Sequence, residues 1–352
     1  MTLCRHFGTC GGCAFQDMPD DAYRALKRSF VVDALAKRGL SDVEVRDSIE
    51  VPQRTRRRAA FKAKKRGGET LLGFHAAKSH DIVDMRECLV LTPKLFELVE
   101  PLRELMNALL GEGEKAELHV TESDSGPDVA IRWSRKLTST ISARIAQWVS
   151  RKAVARVTAN GEVATELAPP TITLGKAQVA MPPECFLQPT REGEAALLLH
   201  VREAMKGAKT IADLFAGLGT FALPLAEHAR VHAVEQDKAA LGALASAARA
   251  TQGLKPLTTE ARDLFRQPLI GDELKAFDAL VLDPPRAGAV AQARALAASR
   301  VRRIAYVSCN AESFARDARI LVDGGYKPNF VTPVDQFLWS SHIELAASFA
   351  RT

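Results

Sequence analysis

From about residue 210 onward, short apolar runs alternate with Ala- and Leu-rich segments of helical length. That alternation restricts the C-terminal half to a parallel sheet covered by helices on both faces. Strands are expected at 210–215, 230–235, 257–262, 279–283 and 303–308, with helices over Thr220–Ala229, Lys238–Gln252, Gln292–Arg300 and Ala311–Val322. After Gly324-Gly325 come two more apolar runs, Pro328–Phe337 and His342–Phe349, close enough to pair as a hairpin. The sheet is therefore expected to end with an antiparallel strand.

Before about residue 180 the pattern changes to short Gly-, Thr- and Val-containing runs such as Thr70–Phe74, Leu118–Glu122, Val129–Trp133 and Thr171–Leu174, which suit an antiparallel β-rich region with some helix. A helix is expected from about Asp20 to Arg38, with Tyr23, Leu26, Phe30 and Leu35 as its apolar stripe. At 352 residues the chain exceeds what one core usually organises. The reading is an α/β protein: an N-terminal cysteine segment with its linking helix (1–40), a smaller β-rich domain (41–180) and a Rossmann-like doubly wound domain (181–352). The first residues lack the apolar run of a signal peptide and no stretch is apolar for long enough to span a bilayer, so a cytoplasmic protein without a membrane partner is expected.

Within the doubly wound half, Ile211 to Phe221 reads as a strand entering a glycine turn and then a helix, and such turns bring backbone N–H groups close to a ligand. Asp213, Gly217 and Gly219 lie in this segment, and Glu235 ends the next strand about twenty residues later, where ribose hydroxyls are gripped. A dinucleotide fold would place a third glycine near Leu223 or Pro224; neither is glycine, so an adenosine cofactor without a pyrophosphate is indicated. Asp263 and Asp283 end the third and fourth strands on the same carboxyl edge. For Asp263, helix capping or a solvated turn is an equally good reading.

Cys4, Cys10 and Cys13 have C-x5-C-x2-C spacing, with Cys88 far downstream and Gly11-Gly12 permitting a tight turn. A disulfide framework does not suit a cytoplasmic chain of this size, and four thiolates fit either zinc or an iron-sulfur cluster. Cys185 matches no motif, and small apolar packing accounts for it. The net charge of +6 decides little, but Arg54, Arg56, Arg57, Arg58, Lys62, Lys64, Lys65 and Arg66 form an acid-free run that is a candidate phosphate-binding stretch, or else a solvated face.

Asp213–Phe221 (DLFAGLGTF), Leu282–Gly288 (LDPPRAG) and Tyr306–Asp317 (YVSCNAESFARD) resemble the motifs of the RNA 5-methyluridine (uracil-C5) methyltransferases. Phe186-Leu187-Gln188 and His342-Ile343-Glu344 are similar to that family's Phe-x-Gln and His-x-Glu, so the resemblance covers nearly the whole chain. It implies S-adenosylmethionine contacts from Gln188, Phe215, Thr220, Glu235, Asp263 and Asp283, with Cys309 as nucleophile and Glu344 as base. It further implies a 4Fe-4S cluster on Cys4, Cys10, Cys13 and Cys88. Three positions depart from the family pattern: Thr220 stands where Asn is common, Pro189-Thr190 replaces Val-Asn, and Arg249-Ala250 falls where an Asn often lies. The small N-terminal RNA-binding β-barrel of many members is expected to be missing here.

The implied chemistry explains the residue types. Uracil C5 is a poor nucleophile, so a thiolate adding at C6 is needed to make an enolate that attacks a sulfonium methyl group. C5 then carries a proton that a carboxylate must remove before the thiol leaves. In Asp283-Pro284-Pro285-Arg286, Arg286 replaces the aromatic residue that amino-methylating enzymes stack on a flipped base, which with Cys309 favours carbon methylation. The expected substrate is a uracil in RNA, 23S ribosomal RNA ahead of transfer RNA, with the basic run on phosphates and no obligate protein partner. Against this stand a catalytically lost iron-sulfur RNA-binding protein and a methyltransferase for a small molecule or protein.

Overall fold

The computed structural model describes residues 3–351. Its C-terminal half is built on an eight-stranded sheet, in which Arg303–Ser308, Ala279–Leu282, Thr210–Leu214, Arg230–Glu235 and Leu257–Ala261 run parallel in that order. All five strands were predicted within one or two residues. Helices Lys238–Ala250, Val290–Ala297 and Ala311–Asp323 match their predicted segments, whereas the one expected over Thr220–Ala229 shrinks to Ala222–Ala226 because Thr220 still belongs to the glycine turn. Two apolar layers, one on each face, form the core. Leu223, Leu244 and Val281 belong to one, and Leu280, Phe314 and Leu321 to the other.

The C-terminal hairpin differs from expectation in where it joins. Glu344–Ala350 inserts between Arg303–Ser308 and Lys327–Asp335, antiparallel to both, and the edge beyond is the two-residue strand Ile49–Glu50. Leu345, Ala346, Ala347 and Phe349 are all buried, which requires neighbours on both sides of the strand and cover on both faces.

The β-rich region is a seven-stranded sheet from Ile82–Asp84 through Glu69–His75, Arg58–Arg66, Lys115–Ser123, Gly126–Trp133 and Arg156–Ala159 to Glu162–Glu166, antiparallel except where Gly126–Trp133 meets Arg156–Ala159. Helices Val99–Leu109 and Ser139–Lys152 cover the face that buries Phe61, Leu118 and Ile131.

Core membership does not follow the expected divisions at 40/41 and 180/181. The helix Asp20–Ala36 packs on Ala311–Asp323, and its Val31, Ala34 and Leu35 belong to the core of the large sheet. Leu26 and Phe30 are only partly buried, so the helix turns a slightly different stripe inward than predicted. The hairpin Thr171–Leu174 with Ala177–Ala180 likewise packs its Ile172, Leu174 and Val179 into that core, not into the β-rich domain. Among the described residues no helix is long and apolar enough to cross a membrane.

Candidate active site

The parallel strands end on one edge, and there a cavity of about 490 Å³ opens, the size of a small-molecule site. Its walls include Phe186, Phe215, Gly217, Glu235, Phe265, Asp283, Cys309, Phe337 and Glu344. Five of the predicted cofactor or catalytic side chains from separate strands thus meet in one place: Phe215, Glu235, Asp283, Cys309 and Glu344.

The glycine turn supplies one wall. Phe215 (φ 65°), Gly217 (φ 53°) and Gly219 (φ 93°) all take left-handed backbone conformations, an unusual one for a bulky residue such as Phe215. Phe215 faces Phe265 with ring centroids 5.5 Å apart. A Cβ on Gly219 would come within 2.9 Å of Leu244, so its absence lets the helix Lys238–Ala250 approach. Glu235 accepts the Gly217 N–H at 3.0 Å and the Asp237 N–H at 2.8 Å, which fixes its carboxylate at the cavity wall.

Other expected cofactor residues lie differently. Asp213 is completely buried beneath the turn and does not line the cavity; burial lifts its carboxyl to about 8. Asp263 turns its carboxylate onto the N–H groups of Phe265 (3.0 Å) and Arg266 (3.3 Å) in a turn that starts no helix, while Leu264 and Phe265 beside it reach the cavity. Gly219 and Thr220 stay in the turn without touching the cavity. Thr190, one of the departures, is the N-cap of helix Arg191–Ala204 and accepts the Gly193 N–H at 2.9 Å, a task that Asn also performs. Arg249 lies in the last turn of Lys238–Ala250.

Cys309 and Glu344 are brought together by strand register. Ser308 pairs with Leu345, so one step further Cys309 stands opposite Glu344. Burial lifts Cys309 to about 11, with further upward pushes from the charges of Glu344 and Asp283. Burial also lifts Glu344 to about 7, opposed by a hydrogen bond from Gln336 Nε2 to Glu344 Oε2 of 2.8 Å. Asp283 is raised well above its ordinary value by burial, then by Glu344 and Asp213. Gln188, 1% exposed, stands behind this group: it accepts from Gln336 Nε2 at 2.7 Å and reaches Asp283 Oδ2 at 3.4 Å. Crowded buried carboxylates of this kind are relieved by a cation.

The residues after Cys309 hold the Asp283 loop beside it. Asn310 caps helix Ala311–Asp323 through the N–H groups of Glu312 and Ser313. Ser313 Oγ donates to the Arg286 carbonyl at 3.0 Å, Arg316 Nη2 to the Ala287 carbonyl at 2.8 Å, and Asp317 accepts from Ala289 N and Tyr306 Oη, both at 2.6 Å. A Cβ on Gly288 would meet Asp317 Oδ2 at 2.6 Å.

The basic run does not act as one patch. Arg57 is 1% exposed, paired with Glu194 at 2.6 Å and donating to the Gln188 carbonyl at 2.9 Å, so it is a buried structural cation and its assignment to RNA is corrected. Lys65 is tied to the Asn107 carbonyl at 2.7 Å. Arg58 is held by the Leu187 carbonyl and lies over the Phe186 ring. Arg56 lies over the Phe337 ring and lines a second cavity, of about 470 Å³, between the cysteine segment, the β-rich domain and the large sheet. Lys62, Lys64 and Arg66 face a separate groove with Lys115 and Arg132, and Lys62 is paired there with Glu117. Arg54 is exposed. Alternation along a strand splits what looked continuous in sequence.

Cys4, Cys10, Cys13 and Cys88 ring one small cavity where the N-terminal segment docks on the β-rich sheet through the Cys10–Ala76 bridge. The Gly12 N–H points at Cys10 Sγ (3.4 Å), and Val90 and Leu91 N–H groups at Cys88. Burial nevertheless raises the Cys10, Cys13 and Cys88 thiols, and these donors offset it only in part. Among the described residues no three His, Cys, Asp or Glu side chains converge tightly enough for a single metal ion.

Residues that sequence reasoning left out of the site are Phe337, Phe265 and Gln336, together with Phe186 and Arg286, which it had quoted only as motif members. Phe265 and Gln336 carry no local signal; they are recognisable only by the strand ends they follow.

The family profile described as tRNA (Uracil-5-)-methyltransferase matches residues 171–351. An uncharacterized RNA methyltransferase of Brucella suis biovar 1 (strain 1330) is 46% identical over 98% of this chain and 83% of the relative. A 23S rRNA (uracil(1939)-C(5))-methyltransferase of Shewanella sp. (strain MR-7) is 32% identical over 99% of this chain and 81% of its own length. Among solved structures, the Pyrococcus abyssi tRNA (uracil-54, C5)-methyltransferase in complex with S-adenosyl-L-homocysteine superposes with a TM-score of 0.74 at 22% identity, over 97% of this chain and 85% of that one, which shows a shared fold. With the profile spanning half of its length and close relatives nearly all of it, the chain belongs to the tRNA (uracil-5-)-methyltransferase family of RNA methyltransferases.

Proposed function

We propose that the protein methylates C5 of a uracil in RNA, 23S ribosomal RNA ahead of transfer RNA, through a covalent bond between Cys309 and C6. The observation that carries this reading is that Cys309 and Glu344, each one residue beyond the Ser308–Leu345 strand pair, line the same cavity of adenosine size. S-adenosylmethionine, when bound, supplies the electrophilic methyl group. Phe215, Phe265 and Glu235 hold its adenosine, and Asp283 its charged end. Gln188, behind Asp283, orients that carboxyl.

Cys309 gives its proton to solvent and its Sγ adds to C6 as the thiolate; the C5=C6 electrons move to C5, which takes the methyl group as the sulfonium S–CH3 bond breaks. Glu344 then takes the C5 proton; the C5–H electrons rebuild C5=C6 and the C6–S bond breaks, returning the thiolate. Burial raises the Cys309 thiol in the free protein, so its deprotonation precedes the addition. The 32% identity to an enzyme named for 23S rRNA favours the ribosomal substrate over the transfer RNA of the more distant structural relative.

Cys4, Cys10, Cys13 and Cys88 would hold a 4Fe-4S cluster. What supports this reading is that the four thiols ring one cavity, four soft ligands of the kind such a cluster takes. Its part is structural, docking the N-terminal segment.

Two variants test the reading. Cys309→Ala should bind S-adenosylmethionine and form no denaturation-resistant RNA–protein adduct, whereas Glu344→Gln should accumulate one. Normal turnover by Glu344→Gln would remove Glu344 as the base.

A further inference from the structure

Glu344 opens the strand Glu344–Ala350, and the loop that leads into it, residues 336–343, is moulded around a side chain from the other end of the chain. Lys27, fully buried in the helix Asp20–Ala36, sends its ammonium into the loop. It lies 2.8 Å from Asp335 Oδ1 and donates to the carbonyls of Ser340 (2.9 Å), Phe337 (3.4 Å) and His342. One turn earlier, Tyr23 Oη donates to Asp335 Oδ2 and accepts the Trp339 N–H at 2.6 Å. The Ala14 and Phe15 N–H groups then close on the Trp339 carbonyl at 2.7 and 3.2 Å. Trp339 itself is held at φ 58°, a conformation a bulky residue keeps only where its surroundings impose it.

A buried ammonium costs far more than it returns unless its donors are all satisfied, and here every acceptor but the Asp335 carboxylate is a carbonyl of this one loop. The loop carbonyls in turn have no strand to pair with. Each side of the contact therefore fixes the other. What emerges from the clamp is Glu344, two residues after His342, and Gln336, one residue after Asp335, whose Nε2 bonds Glu344 Oε2 at 2.8 Å. Cys309 has supports of its own: Asn310 caps the helix after it, and Ser313 and Asp317 tie that helix to the Asp283 loop and to Tyr306.

We propose that Lys27 and Tyr23 are positioning residues for the proton-abstraction step, holding the loop 336–343 so that Glu344 meets the C5 proton. The N-terminal segment thereby takes part in turnover and is more than an attachment. The inference rests on the reading of Glu344 as the base. Loosening the clamp should leave thiolate addition and methyl transfer in place and slow the last step, in which Glu344 takes the C5 proton, C5=C6 reforms and Cys309 leaves.

The test compares wild type, Glu344→Gln, Tyr23→Phe and the charge-neutral pair Lys27→Met/Asp335→Asn, the last chosen because removing Lys27 alone would strand a buried carboxylate. Each protein is incubated with RNA lacking the modification and with S-adenosylmethionine, denatured, and assayed for covalent RNA–protein adduct; S-adenosylmethionine affinity and thermal unfolding are measured alongside. The expected result is adduct release slowed roughly ten-fold or more in both clamp variants, the order expected for a misplaced catalytic group. Cofactor affinity should stay within about two-fold of wild type, a split that a merely loosened fold would not give. Normal adduct release from a folded Tyr23→Phe overturns the proposal, even if the double variant fails to fold, while an adduct trapped by Glu344→Gln alone would leave the base assignment standing. If Glu344→Gln traps nothing, the base assignment itself falls and the clamp proposal with it.

Discussion

Glu344 is buried in a sheet that would prefer it neutral, and its carboxyl is lifted to about 7. A base must be ionised, so adduct release should slow as pH falls below about 7, read from single-turnover rates between pH 5.5 and 8.5. Stability runs the other way. A carboxyl raised on folding stabilises the fold only while protonated, and that contribution is lost as pH rises through the folded value. Glu344→Gln should therefore raise the unfolding free energy at pH 8 by on the order of 1–3 kcal/mol and leave it nearly unchanged at pH 4. Gln336 opposes the upward shift through its hydrogen bond, so Gln336→Leu should move the pH dependence of adduct release to higher pH. An unmoved profile would show that this bond does not tune the base. At this scale the sequence was informative for groups that follow a strand, such as Asp283 and Cys309, since periodicity locates strand ends, while Glu344 was picked out by the resemblance of His342-Ile343-Glu344 to a family motif. It was silent on Lys27 and Gln336, whose partners lie across the fold, and misleading on Arg57, whose neighbours in the run are charged and whose own position faces inward.

The glycine turn and the last hairpin show what an element's sequence does and does not carry. Gly217 and Gly219 both have positive φ, but only Gly219 lacks room for a Cβ, with Leu244 at 2.9 Å. Gly217→Ala should cost about 1 kcal/mol of stability from backbone strain alone. Gly219→Ala should cost more and also weaken S-adenosylmethionine binding, because the helix Lys238–Ala250 must retreat and Ala240 lines the cavity. Calorimetry on the two variants checks the order; equal losses would contradict it. The alternation of strands and helices was legible because each parallel strand is a short apolar run. The insertion of Glu344–Ala350 inside the sheet was not, since an apolar run has the same composition beside one neighbour or between two. That insertion is what puts Glu344 opposite Cys309.

Across the whole molecule, three regions face one another near the site: the cysteine segment, the β-rich domain and the sheet edge enclose a cavity that shares Phe337 with the cofactor cavity. Arg56 lines it, while Lys64 and Arg66 face the outer groove. Paired replacement of Arg56 and Lys64 by Ala should lower the slope of log affinity for RNA against log salt by about one to two. Arg57→Ala should instead destabilise the protein by roughly 3–5 kcal/mol, since Glu194 would lose its buried partner. Cys13→Ser should abolish the brown absorbance of anaerobically purified protein; a colourless wild type would contradict the cluster. Core sharing was not legible from composition: Asp20–Ala36 and Thr171–Ala180 are contiguous with one region in sequence and pack into the core of another. The central claim, methyl transfer to uracil C5, is tested most directly by incubating the purified protein with methyl-labelled S-adenosylmethionine and RNA from cells lacking it, then resolving the nucleosides by mass spectrometry. Label in 5-methyluridine, absent with Cys309→Ala, is the predicted result; label in any other nucleoside, or 5-methyluridine formed without Cys309, would contradict the account.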